Sequence, residues 1–148
     1  MIMDRRIFVK KTCALCMGGS LLTNILSGCG STRYVNGTME SSGISVLPAE
    51  FLSQKDNPNS FLPYIIVRNE SLEYPICVYR FSENEYTALL MKCTHQGTEL
   101  QVFGDQLHCP AHGSEFSSKG LVNQGPAENG LRTFRVSALP EKILIELK

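Results

Sequence analysis

The chain has 148 residues, 43% of them hydrophobic, enough for one small core plus a leader and too few for two well-buried cores. Its formal charge is zero, but residues 1–28 carry Arg5, Arg6, Lys10 and Lys11 against Asp4 alone, which leaves the rest mildly acidic, with ten basic and thirteen acidic residues. Such a body offers no broad basic face to neutralise phosphates, and nucleic-acid binding is set aside.

Residues 4–10 read D-R-R-I-F-V-K, followed by a weakly apolar stretch and then Leu26-Ser27-Gly28-Cys29. This resembles a twin-arginine export signal over residues 1–28 with a lipoprotein cleavage box that would place a lipid on Cys29. An uncleaved membrane anchor is the alternative, although the stretch is short for the ~20 residues of a full span and contains Asn24. Either outcome attaches the protein to a bacterial membrane, facing away from the cytoplasm. Cys13 and Cys16 form a C-x-x-C inside this leader and read as apolar filler.

Residues 29–43, rich in Gly, Ser, Thr and Asn, read as a flexible tether, with the folded domain over 44–148. Apolar runs at 44–47, 64–68, 76–81, 86–91, 131–136 and 143–147 have the length of strands, and turn residues at 82–84 and 138–141 separate two pairs of them. The expected fold is all-β, a small antiparallel sandwich or barrel. Cys77, flanked by Ile76 and Val78, reads as a buried structural thiol.

Two segments carry the chemistry: Cys93-Thr94-His95-Gln96-Gly97 and Cys109-Pro110-Ala111-His112-Gly113-Ser114. Each pairs one thiol with one imidazole, and residues 100–108 read as a hairpin that returns the second tip to the first. Two cysteines and two histidines suit a structural zinc site, but finger-type sites usually pair C-x-x-C with His-His. Mixed pairs suit a centre in which both thiolates bind one iron and both imidazoles the other. His108, adjacent to Cys109 along a strand, should face away and is read as a non-ligand.

C-T-H-Q-G and C-P-A-H-G-S resemble the two cluster-binding boxes of the Rieske family, and Gly125-Pro126-Ala127 resembles that family's Gly-Pro loop, closing a third side. The resemblance implies one 2Fe-2S cluster held by Cys93, His95, Cys109 and His112. It implies Gly97 and Gly113 at sharp turns, Pro126 over the cluster, and a Ser114 hydroxyl donated to a cluster sulfur. Respiratory members carry a further cysteine in each box, joined as a disulfide, where this chain has Thr98 and Ala111. Where they carry a second donor, a tyrosine, this chain has Phe116, which implies a lower potential. The implied activity is one-electron transfer at a membrane surface with redox partner proteins, a cytochrome or a quinol-linked or molybdenum oxidoreductase. The alternative is a small Rieske subunit of such an oxidoreductase.

Overall fold

The computed structural model describes residues 32–54 and 57–148. Arg5, Arg6, the Cys13 and Cys16 thiols and the lipidation candidate Cys29 lie outside the described residues. Short strands follow one another: β1 (Tyr34–Asn36), β2 (Thr38–Met39), β3 (Gly43–Val46), β4 (Leu52–Gln54), β5 (Asn57–Phe61), β6 (Tyr64–Arg68) and β7 (Ile76–Arg80). They continue as β8 (Tyr86–Leu90), β9 (Gln101–Phe103), β10 (Gln106–His108), β11 (Glu115–Ser117), β12 (Val122–Gln124), β13 (Thr133–Ala138) and β14 (Ile143–Glu146). One 3-10 turn, Pro48–Phe51, precedes β4. Among the described residues no helix is long and apolar enough to cross a membrane.

Eight strands, in the order β1-β6-β7-β8-β13-β14-β3-β2, form a nearly closed, barrel-like sheet. A four-stranded sheet, β12-β11-β10-β9, and the β4-β5 pair complete the fold. Alternation along a strand sends successive side chains to opposite faces, which explains why β6, β7 and β8 read as unbroken apolar runs. Ile65, Val67, Ile76, Val78 and Ala88 fill one core with Ile44, Phe51 and Ile145. Their neighbours Ile66, Cys77, Tyr79 and Leu89 fill a second with Met91, Leu107, Phe116, Cys93 and Cys109. The central strands are therefore buried on both faces, the barrel interior on one and the functional loops on the other. Cys77 is fully buried, as expected, and burial pushes its thiol far above the ordinary range.

One expectation is corrected. Residues 34–36 and 38–39 are strands, not part of a tether over 29–43, and the domain begins before residue 44. The Arg33 guanidinium donates to the carbonyls of Glu50 and Leu52 at 2.8 and 2.7 Å, and Val35 is buried. A Cβ at Gly37 would stand 2.5 Å from the Ile44 side chain, so the small residue serves close packing and not flexibility. The expected all-β, barrel-like and mainly antiparallel fold is present, with β1 added at the edge in parallel to β6, Val35 opposite Val67.

Candidate metal centre

Each sequence box folds into the same turn. In loop 1 the Cys93 amide donates to the Thr98 carbonyl at 2.8 Å and the Gly97 amide to the Cys93 carbonyl at 2.8 Å. In loop 2 the Cys109 amide donates to Ser114 at 2.8 Å and the Gly113 amide to Cys109 at 3.0 Å. The reversal passes through left-handed backbone at Gly97 (φ 77°) and Gly113 (φ 74°), where a side chain would be strained. No heavy atom lies within 4 Å of a Cβ built on Gly113, so conformation and not crowding asks for glycine there. The Lys92–Glu99 bridge closes loop 1 and the His108–Glu115 pair of β10 and β11 closes loop 2.

A third loop, residues 125–130, touches both. Ser114, fully buried, accepts the Ala127 amide at its Oγ at 3.0 Å. The Thr94 hydroxyl donates to the Asn129 carbonyl at 2.6 Å, and the Gln124 amide nitrogen lies 3.4 Å from the Gly113 carbonyl. The Gly125–Pro126 peptide is cis, with Pro126 exposed at the surface. Neither Thr94 nor Gln124 stands out in the sequence, because their partners are backbone carbonyls that leave no mark in residue type.

The loops bring the four donors together with the thiols inside. Cys93 is 2% and Cys109 3% exposed, whereas His95 is half-buried and His112 exposed. The two rings stand 4.9 Å apart and perpendicular. Burial pushes the Cys109 thiol up, but the backbone amides of His112 and Ala111, then the Cys93 and Thr98 side chains, outweigh it and hold the group below the usual thiol range. That favours the thiolate, the metal-binding form. His95 Nδ1 is buried with no hydrogen-bond partner in the structure. A buried orphan nitrogen is costly unless something binds it, and a metal shared with the adjoining His112 ring would do so. Among the described residues no three His, Cys, Asp or Glu side chains converge on a single ion position. A two-iron cluster asks only two protein ligands of each metal.

His108 stands apart from the four. Its ring lies 5.3 Å from Phe103, with Nδ1 3.9 Å from Glu115 Oε1 and Nε2 3.3 Å from Gln106 Oε1. Phe116 is fully buried in the same core as both ligand-candidate thiols.

The chain was compared with known proteins. No curated protein matches it. Among solved structures, the cyanobacterial plasma membrane Rieske protein PetC3 from Synechocystis PCC 6803 is 25% identical, with a TM-score of 0.49, over 57% of this chain and 86% of its own. The quaternary ammonium Rieske monooxygenase CntA, crystallised with L-carnitine, has a TM-score of 0.54 at 20% identity over 72% of this chain and 32% of its own. The present chain thus spans about a third of that enzyme's length, and the likeness is one of fold. The family model of the Rieske [2Fe-2S] domain matches residues 58–135, a span that contains both Cys-His loops and the third loop tied to them. With more than half of its length so matched, the chain belongs to the Rieske family, whose domain binds one 2Fe-2S cluster.

Proposed function

We propose that this chain is a stand-alone one-electron carrier, with Cys93 and Cys109 binding one iron of the cluster and His95 and His112 the other. A Rieske domain transfers electrons through its cluster; the finer reading concerns these ligands and where the electron leaves. The observation that carries it is the division of the donors, two thiols in the core and two adjoining imidazoles at the edge. When bound, the cluster supplies a one-electron couple. The chain's own residues set its surroundings. The Ala111 and His112 amides face the Cys109 sulfur. Ser114 accepts from Ala127 and keeps its own proton free to donate toward the site. Phe116 adds no donor, so the reduced state gains less stabilisation than two hydroxyls would give, which lowers the potential. The third loop ties to loop 1 at Thr94 and to loop 2 at Ser114, in a chain whose Thr98 and Ala111 can form no disulfide.

The leader's resemblance to a twin-arginine lipoprotein signal supports a carrier in the bacterial cell envelope, lipidated on Cys29, that meets a cytochrome, a quinol-linked or a molybdenum oxidoreductase at the membrane surface. Isolated protein is expected to be coloured and to show a reversible one-electron wave in film voltammetry. A colourless, electrochemically silent protein that contains zinc would overturn the reading. For the anchor, Cys29→Ala is expected to abolish lipid labelling and Arg5 and Arg6 changed to Lys to stop export. Cys29→Ala protein still membrane-bound at full unprocessed mass would establish the uncleaved alternative.

A further inference from the structure

The outer flank of loop 1, which the electron-carrier reading leaves without a role, forms one side of a trough. One part, of about 480 Å³, is lined by Leu90, Lys92, Arg132 and loop 1 from Cys93 to Gly97. Neither Cys109 nor His112 lines it, so it sits on the outer flank of loop 1 and not between the two loops. It adjoins a second hollow of about 350 Å³ through shared Leu90, Lys92 and Arg132, reaching Glu73, Phe134 and Leu147. The sheet builds it: the Leu90 amide donates to the Arg132 carbonyl at 3.0 Å, which sets β8 and the lead-in to β13 side by side.

Two cations, Lys92 and Arg132, and one carboxylate, Glu73, line this trough. Lys92 Nζ lies 4.7 Å from the Tyr74 ring centre and 3.9 Å from one carboxylate, that of Glu73, which is 77% exposed. Exposed pairs of that length hold weakly. The Arg132 guanidinium donates to the Leu147 carbonyl at 3.0 Å and lies 4.8 Å from the Phe134 ring centre, so it is oriented but not charge-paired by these contacts. The trough is thus a locally positive, partly apolar recess on a domain whose net charge is negative. It ends at His95, whose ring touches that of His112.

We propose that this trough is the docking site for an acidic face of the chain's redox partner, a protein that sets carboxylates against Lys92 and Arg132 and so brings its own centre to His95. The inference rests on the electron-carrier reading above. An acidic partner is repelled by the rest of the domain and attracted here, which fixes orientation and speeds encounter more than it adds affinity. A basic partner would find the opposite field.

The test has two arms on the intact holoprotein. In the first, the reduced protein gives one electron to the oxidised haem of an acidic c-type cytochrome, and separately to that of a basic one, followed by stopped flow across ionic strength. With the acidic cytochrome the rate is expected to fall as salt rises. Reversing both charges (Lys92→Glu with Arg132→Glu) is expected to cut it roughly tenfold at low salt and to flatten or invert the slope, with less change at high salt. Arg132→Gln guards against misfolding of the double variant and should give a smaller change of the same sign. Lys119→Gln, which unpairs Glu85 by the β7–β8 turn at the far end of β8 from Cys93, is expected to change nothing. The potential and paramagnetic signal of each variant are recorded, so that altered driving force is told apart from altered docking. In the second arm, hexacyanochromate(III), an anion inert to electron exchange, is added and the broadening of the Leu147 and Phe134 amide signals is followed by NMR. Broadening that Arg132→Gln removes supports the dock whether or not the cluster reading holds. Variants with a normal cluster signal and unchanged rate and salt slope toward the acidic cytochrome, or no broadening at these amides, would overturn it. A wild-type protein without a Rieske signal would sink the carrier reading instead, and the anion arm would still decide the trough.

Discussion

Ser114 uses one oxygen in two directions. Its Oγ accepts the Ala127 amide at 3.0 Å in a fully buried position, which leaves the hydroxyl proton for an acceptor in the site. Ser114→Ala is therefore expected to lower the reduction potential by on the order of 60 mV, the worth of one charge-assisted hydrogen bond in a one-electron couple. It also strands the Ala127 amide, at a cost of about 1–3 kcal/mol in stability. Film voltammetry reads the first effect and urea denaturation the second. Phe116→Tyr should raise the potential by a similar ~60 mV, since the ring sits in the core that contains Cys93 and Cys109. No upward shift with the cluster signal intact would mean that the ring's far edge does not reach the site. The four donors are legible in residue type and spacing, because metal ligands must be particular side chains. Thr94, Gln124 and Arg132 carry no such mark. Their roles depend on backbone carbonyls or on a neighbour in a distant strand.

Among the elements, the third loop carries the bracing. Thr94→Val removes the hydroxyl that donates to Asn129. Because the contact is at the surface, water replaces part of it, and the expected loss in global stability is about 0.5–1 kcal/mol. Faster hydrogen exchange should appear in residues 125–130 first, and unchanged exchange there would show that the loop is held without loop 1. In the barrel, a Cβ on Gly43 would fall 1.9 Å from the Ile145 carbonyl oxygen. Gly43→Ala must therefore separate β3 from β14, with an expected loss of at least about 2 kcal/mol in denaturant melts. Strands buried on two faces, β6, β7 and β8, are legible as continuous apolar runs. The hairpin turns between β7 and β8 and between β13 and β14 are legible from their polar residues. Edge strands are not: β1 buries Val35 alone, and β12 buries no residue fully. β1 exists because β6, distant in sequence, offers it hydrogen bonds, and β12 because the neighbouring β11 does, neither of which an apolar period records.

For the whole molecule, residue patterns point to one all-β domain with a single metal site, and they mislead on where the domain begins. Small polar residues suit a tether, but they equally suit a strand that must pass close to Ile44 and Val67. A chain starting at Gly43 would lose β1 and β2 and uncover the core at Val35. The expected loss is roughly 2–3 kcal/mol, the burial of one valine side chain. An unchanged melting midpoint would return residues 32–42 to the role of tether. The measurement that bears most directly on the metal centre is electron paramagnetic resonance of the dithionite-reduced protein beside two histidine variants. A Rieske signal is expected from the wild type and from His108→Ala, whose ring is engaged by Gln106 and Glu115. The signal should be absent from His112→Ala, with iron and sulfide content falling together. A normal signal in His112→Ala, or its loss in His108→Ala alone, would contradict the ligand set.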